Sequence, residues 1–291
     1  MRVHTIAVLG GNGVFARHLI PRLTSQGHRV RALVRRPDAA GLAKACGAEI
    51  LVADIFDEDA LYVALAGCDI GINLATSLPG PSGRGDFEAN DRLRRDGTPS
   101  WVRACKRANV ARVIQQSIAM VNSAGGDIWS DEETTASGVG DDVAARAIGA
   151  ALAMEACVRA SGMDALILRG GLFYGPGTGF DDDWFARAKA GKLRLPGDGE
   201  NFVSLVHIAD MADAMIAAIS RPPAYDTLII CDDRPARWRE IFSYIVQIVG
   251  AAAPLPGGRI GFPSFRTSNR RAREALSWVP RYADFRIGLV R

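Results

Sequence analysis

Two rhythms of apolar residues alternate along the first two-thirds of the chain. Short runs rich in β-branched residues predict strands over 5–9, 29–34, 49–52, 70–74, 112–116 and 165–168. Between them, apolar positions near helical spacing predict helices over 16–25, 39–45, 57–65, 86–108 and 143–160. Strand and helix in strict alternation are the mark of βαβ units that close a parallel sheet. The expected fold is α/β, a Rossmann-type doubly wound parallel sheet. After Gly170 the texture changes, as Gly170-Gly171, Gly175-Pro176-Gly177 and Pro196-Gly197-Asp198-Gly199 bracket an amphipathic stretch over 184–190. A helix over 208–219, a strand over 227–231 and a helix over 237–249 follow. The expected organisation is a nucleotide-binding domain over 1–170 and a smaller substrate lobe over 171–291, with some late elements returning to the sheet. Residues 77–85, with two prolines and several glycines, read as a mobile loop.

The junction of the first strand and helix carries the first chemical signal. Ile6-Ala7-Val8-Leu9 runs into Gly10-Gly11-Asn12-Gly13 and then Val14-Phe15-Ala16. Glycine lets the backbone take positive φ and lets phosphate oxygens approach closely, and a helix N-terminus offers N–H groups and a positive dipole end. The reading is a dinucleotide cradle made of Gly10, Gly11, Asn12, Gly13, Val14 and Phe15. Where a carboxylate would meet the ribose 2′-hydroxyl of NAD, the chain has Arg35 and Arg36. Guanidinium groups suit a 2′-phosphate, so NADP (NADPH) is the expected cofactor. Asp54, followed by Ile55, suits a hydrogen bond to the adenine amine or a cap on the next helix.

Composition narrows the setting. A chain of 291 residues with 48% hydrophobic and 23% charged residues is ordinary for a packed protein. A net charge of +3, with basic residues scattered, gives no reason to expect a nucleic-acid partner. Five cysteines, odd in number and never paired as Cys-x-x-Cys, read as buried small residues in a reducing compartment. No signal peptide is read before the first strand and no apolar window is long enough for a membrane span. The expectation is a cytoplasmic monomer or homodimer that acts on a small molecule, with no membrane partner.

Several stretches resemble the extended short-chain dehydrogenase/reductase superfamily, the epimerase/dehydratase-like group. Leu9-Gly10-Gly11-Asn12-Gly13-Val14-Phe15-Ala16 is similar to its glycine fingerprint, and Asn73-Leu74-Ala75 to the segment under the cofactor ribose. Gln116-Ser117-Ile118-Ala119 resembles the strand end that bears the catalytic Ser or Thr. Arg169 to Gly177 resembles the Arg-x-x-x-x-Tyr-Gly-Pro-Gly stretch beside the nicotinamide, and Val206-His207-Ile208-Ala209-Asp210 and Ala275 to Pro280 resemble later signatures. The resemblance covers nearly the whole chain. It implies that Leu74, Ala75, Thr76 and Leu172 line the cofactor and that Ser117, Thr76 and Tyr174 are candidate catalytic groups.

The same resemblance exposes a gap. The superfamily's Tyr-x-x-x-Lys would fall at Ala147 and Ala151, and no tyrosine in the chain has a lysine four residues later. The expected activity is therefore an atypical NADPH-dependent reductase that transfers hydride to a carbonyl of a bulky small molecule. Its proton comes from water, a Ser or Thr hydroxyl, or the substrate. A non-catalytic NADP(H)-binding redox sensor and a nucleotide-sugar epimerase or dehydratase are the alternatives. Asp181-Asp182-Asp183 reads as charge at a helix N-terminus, with no histidine near in sequence, and no metal site is expected.

Overall fold

The computed structural model describes residues 2–79, 85–136 and 142–289. Seven strands form the central sheet: β1 Thr5–Leu9, β2 Arg29–Val34, β3 Glu49–Val52, β4 Ile70–Asn73, β5 Arg112–Ile118, β6 Asp164–Gly170 and β7 Thr227–Ile230. Their order is β7-β6-β5-β4-β1-β2-β3, the doubly wound pattern with reversal at β1. β1 pairs in parallel with both β2 and β4, β2 with β3, and β4 with β5. The seventh strand is the late run after residue 226, so one of the later elements does belong to the sheet.

Helices α1 Val14–Ser25, α2 Gly41–Ala45, α3 Glu58–Leu65, α4 Phe87–Arg92, α5 Thr98–Arg107 and α6 Val143–Ala160 connect the strands. Downstream lie α7 Phe180–Lys189, α8 Ile208–Ser220, α9 Trp238–Val249 and α10 Arg270–Leu276. The single helix expected over 86–108 is three pieces: a π-turn at Leu93–Gly97 joins α4 to α5. Two-residue and three-residue strand pairs occur as well, among them 172–174 with 205–207 and 129–130 with 266–267.

The chain divides into two compact units, and neither is one continuous segment. The first comprises Met1–Ser117, Gly149–Leu168 and Met215–Thr227; the second comprises Ile118–Ile148, Arg169–Ala214 and Leu228–Arg291. This differs from a single cut between 170 and 171, because the segment after β5 packs with the second unit. Each unit has its own apolar centre. In the first, Trp101, Leu61, Leu65 and Ile167 are fully buried, and a side chain at Gly71 would stand 3.0 Å from the Trp101 ring. In the second, Trp184 and Trp238 meet edge to face at 5.6 Å, with Phe242 beside both. Among the described residues, no helix is long and apolar enough to cross a membrane.

Candidate active site

The three glycines of the first turn do three different jobs. Gly10 has φ of +79°, and a side chain there would meet the backbone of Leu74 and Ala75 at 3.0 Å. Gly11 is required by proximity instead: its added Cβ would lie 2.7 Å from Ala32 Cβ and 2.9 Å from Ala32 Cα, on β2. Both Gly10 and Gly11 donate their N–H to Leu33 O at 3.1 Å, which ties the turn to the second strand. Gly13 has ordinary φ of −67° and caps α1 with no side-chain acceptor, and no acidic residue lies in that helix's first turn. An uncapped helix end without a carboxylate, next to a turn that leaves no room for a Cβ at Gly10 or Gly11, fits a pyrophosphate. Val14 and Phe15 are the first two helical residues.

Asn73, at the end of β4, places the next segment. Its Oδ1 accepts from Ala75 N at 3.0 Å and its Nδ2 donates to Gln115 Oε1 at 3.0 Å. Leu74 and Ala75 are thereby fixed against Gly10, and Thr76 follows, exposed, with its hydroxyl making no hydrogen bond. Asp54 Oδ1 accepts from Phe56 N at 3.0 Å, a local turn, whereas the cap of α3 is Asp57, which accepts from Ala60 N. The cap reading of Asp54 is thus corrected: the capping carboxylate is three residues on. Ile55 is buried against Gly97 of the π-turn.

Arg35 and Arg36 follow β2, both exposed and, among the described residues, without an ion pair. A third cation joins them in this unit and escaped the sequence reading. Arg17, exposed on α1 and likewise without an ion pair, lines a small niche together with Gly11, Asn12, Ala39 and Ala40. Its signal was present, since it lies four residues after Gly13, but helical spacing alone reads it as a solvated face.

Ser117 and Tyr174 are both fully buried. Ser117 is fully buried and donates its hydroxyl to Glu155 Oε1 at 2.6 Å, and Glu155 is fully buried as well. Arg159 reaches the other carboxylate oxygen at 3.2 Å and also donates to Thr227 Oγ1 at 2.9 Å. The serine therefore ties β5 to α6. Ile118, the next residue, lies on the opposite face of the strand and has no hydroxyl.

Tyr174 is fully buried in the second unit, edge-on to His207 at 5.2 Å, and Gly288 lies against its hydroxyl. Burial, with Asp232, Asp210 and Asp284 nearby, pushes its pKa up. A phenol held this way is closed off from solvent. Leu172, half-buried, lies on the same short strand. His207 accepts from Ala209 N at 3.2 Å, and Asp181, Asp182 and Asp183 form the first turn of α7. Among the described residues, no three metal-ligating side chains converge.

Helix α6 carries the gap in atomic form. Ala150 and Ala151 are fully buried and Ala147 is 9% exposed, so small side chains fill the positions of the missing pair. Beyond them, Arg94 sits buried in the π-turn, and desolvation lowers its pKa to about 10 while Asp91 and Glu155 oppose the shift. It stays cationic at neutral pH. Sequence reading missed it because a run of two arginines on a helix ordinarily faces water.

The model of a family described as NAD(P)H-binding matches residues 10–222. A Streptomyces sp. protein, 3-diazoavenalumate denitrifying reductase, is 32% identical over 98% of this chain and 99% of its own length. A Stigmatella aurantiaca ketoreductase of a farnesylated dihydroquinoline oxide is 24% identical over 90% of this chain and 77% of its own length. The crystal structure of a UDP-glucose 4-epimerase from Thermotoga maritima superposes with a TM-score of 0.80 at 18% identity, covering 98% of this chain and 96% of that one. This last likeness is one of fold. The chain belongs to this NAD(P)H-binding family, as a member in which no tyrosine has a lysine four residues later.

Proposed function

We propose that this protein is an NADPH-dependent reductase whose substrate is a bulky small-molecule electrophile that needs no proton from a protein tyrosine. A nicotinamide-dependent oxidoreductase is what the family match and the reductase relatives support. The observation that carries the finer reading is the pairing of an intact glycine cradle with Ala147 and Ala151 on α6. The residues present fit the cofactor: Gly10, Gly11 and the uncapped end of α1 would hold the pyrophosphate. Arg35 and Arg36 would hold a 2′-phosphate, with Asp54, Leu74 and Ala75 beside the rest. When bound, NADPH supplies the hydride. The chain's own part is to bind and to orient, with small buried side chains in place of a tyrosine ring and a lysine stem. Thr76 offers the exposed hydroxyl able to orient a substrate oxygen.

A carbonyl flanked by the substrate's own hydroxyl satisfies these conditions, because that hydroxyl stabilises the developing alkoxide. A second electrophile does so more completely, and the 32% identical denitrifying reductase favours it. When hydride replaces a diazonium group, a C–H bond forms, the C–N bond breaks, and dinitrogen leaves with the bonding pair. No alkoxide arises and no acid is required. The test is oxidation of NADPH by the purified protein, assayed with hydroxylated aryl ketones and with hydroxylated arenediazonium acids. Turnover with one class, and deuterium passed from 4-deuterated NADPH to product carbon, supports the proposal. Tight NADPH binding with no oxidation in either class refutes it in favour of the redox sensor.

A further inference from the structure

The second unit holds a cleft that the proposed chemistry does not use. Its volume is about 180 Å³, and its walls include Trp129, Ser268, Arg270 and Arg271 with Asp131 and Glu132. By volume it holds roughly six waters, or one substituted benzene ring. Trp129 is the exception among the five tryptophans: it is 50% exposed, whereas Trp101, Trp184, Trp238 and Trp278 are at most 6% exposed. The Arg266 guanidinium stacks over one face of its ring at 4.5 Å.

Charge in the walls is nearly all committed. Asp131 Oδ1 accepts from Glu133 N and Thr134 Oγ1. Glu132 is buried, accepts from Ile229 N at 2.8 Å and pairs with Arg271, which also reaches Glu133. Arg270 differs: its backbone N–H donates to Ser268 Oγ, but among the described residues its exposed guanidinium has no carboxylate partner.

We propose that this cleft binds a planar aromatic monocarboxylate, with its ring on Trp129 and its carboxylate on Arg270. One uncommitted guanidinium presents a fork that matches a planar carboxylate. The neighbouring Asp131 and Glu132 disfavour a phosphate dianion, which would need more than one free cation. An indole already backed by a cation offers its ring to a flat ligand without further ordering. The site is independent of the nicotinamide cofactor and does not rest on the reductase reading.

The experiment uses the full chain without cofactor, benzoate as the probe and benzyl alcohol as its uncharged control. Binding is followed by calorimetry and by quenching of tryptophan fluorescence. Saturable binding of benzoate is expected, at least tenfold tighter than benzyl alcohol. Arg270→Ala should remove that preference, and Trp129→Ala should weaken benzoate at least tenfold. Trp129→Phe should keep the calorimetric signal and lose the quench. Both positions are exposed, and circular dichroism verifies that each variant is folded. No saturable heat, or benzoate binding unchanged in both Arg270→Ala and Trp129→Ala, overturns the proposal. NADPH oxidation is scored separately, so failure here leaves the reductase reading standing, and the converse holds.

Discussion

Replacing Ser117 by alanine separates a structural serine from a catalytic one. The hydroxyl donates to Glu155 Oε1 at 2.6 Å, and neither residue is exposed to solvent. Removing the donor leaves a buried carboxylate oxygen with no water to replace it. A hydrogen bond to a charged group contributes about 1.5–3 kcal/mol. Arg159 still holds the other oxygen at 3.2 Å, so the loss stays below that of a wholly unpaired buried charge. Chains of this size lose about 2–4 °C of Tm per kcal/mol, so the variant should melt roughly 3–12 °C lower. Because the hydroxyl faces α6, kcat/KM at room temperature should fall by no more than about tenfold, one neutral contact's worth. Differential scanning calorimetry and NADPH-oxidation kinetics on the same preparation give both numbers. An unchanged Tm with a thousandfold loss of kcat/KM would refute the reasoning and make serine the essential acid.

Three further outcomes follow from other parts of the molecule. NADPH should bind at least tenfold tighter than NADH, about 1.4 kcal/mol, and Arg35→Asp should weaken NADPH selectively; equal affinities by calorimetric titration contradict this. Installing Tyr at 147 and Lys at 151 should lower both turnover and Tm, because Ala151 is fully buried and Ala147 nearly so, and a hundredfold rate rise would instead mark a damaged ordinary reductase. His28 accepts the His4 N–H on Nδ1 at 3.1 Å, and burial followed by His4 lowers its pKa below the ordinary 6.5. The folded protein then binds fewer protons than the unfolded chain, so this stability is present above pH 6.5 and lost as pH falls through the lowered pKa. His28→Gln, which keeps an acceptor but does not titrate, should flatten the fall of Tm between about pH 7 and pH 5; an equally steep fall contradicts the assignment.

What the sequence made legible follows from range. The span of α6, Val143–Ala160, and the first three strands are local patterns, and local periodicity locates them. The glycine turn is legible for the same reason, although only Gly10 takes positive φ while Gly11 answers to Ala32 across the sheet. Features set by distant partners were hidden. Ser117 meets Glu155 38 positions away, and Tyr174 is sealed by Gly288 and His207. The π-turn at Leu93–Gly97 interrupts a helix whose apolar spacing is continuous, so periodicity reads straight through it. Two-residue strands such as 129–130 exist only by pairing with 266–267, and no local run announces them. The same non-local pairing draws Ile118–Ile148 into the second unit.

The buried arginine and the alanines of α6 bear on the chemistry together. A lysine beside a tyrosine supplies two things: a positive field and, through the tyrosine, a transferable proton. Alanine at 147 and 151 removes both. Arg94, coupled to Asp91 and to Glu155 one turn beyond Ala151, is a buried cation of the first unit whose charge those carboxylates favour. With its pKa lowered only to about 10, that guanidinium is cationic across the neutral range and surrenders no proton there. General acid catalysis is worth about two to four powers of ten, and a substrate must make up that difference through its own structure. A ketone with an internal hydroxyl does so in part by stabilising the alkoxide. A group that leaves with its bonding pair does so entirely, because no oxyanion forms for an acid to quench. Under the proposed function the second electrophile therefore asks less of the chain, since it needs no acid at all.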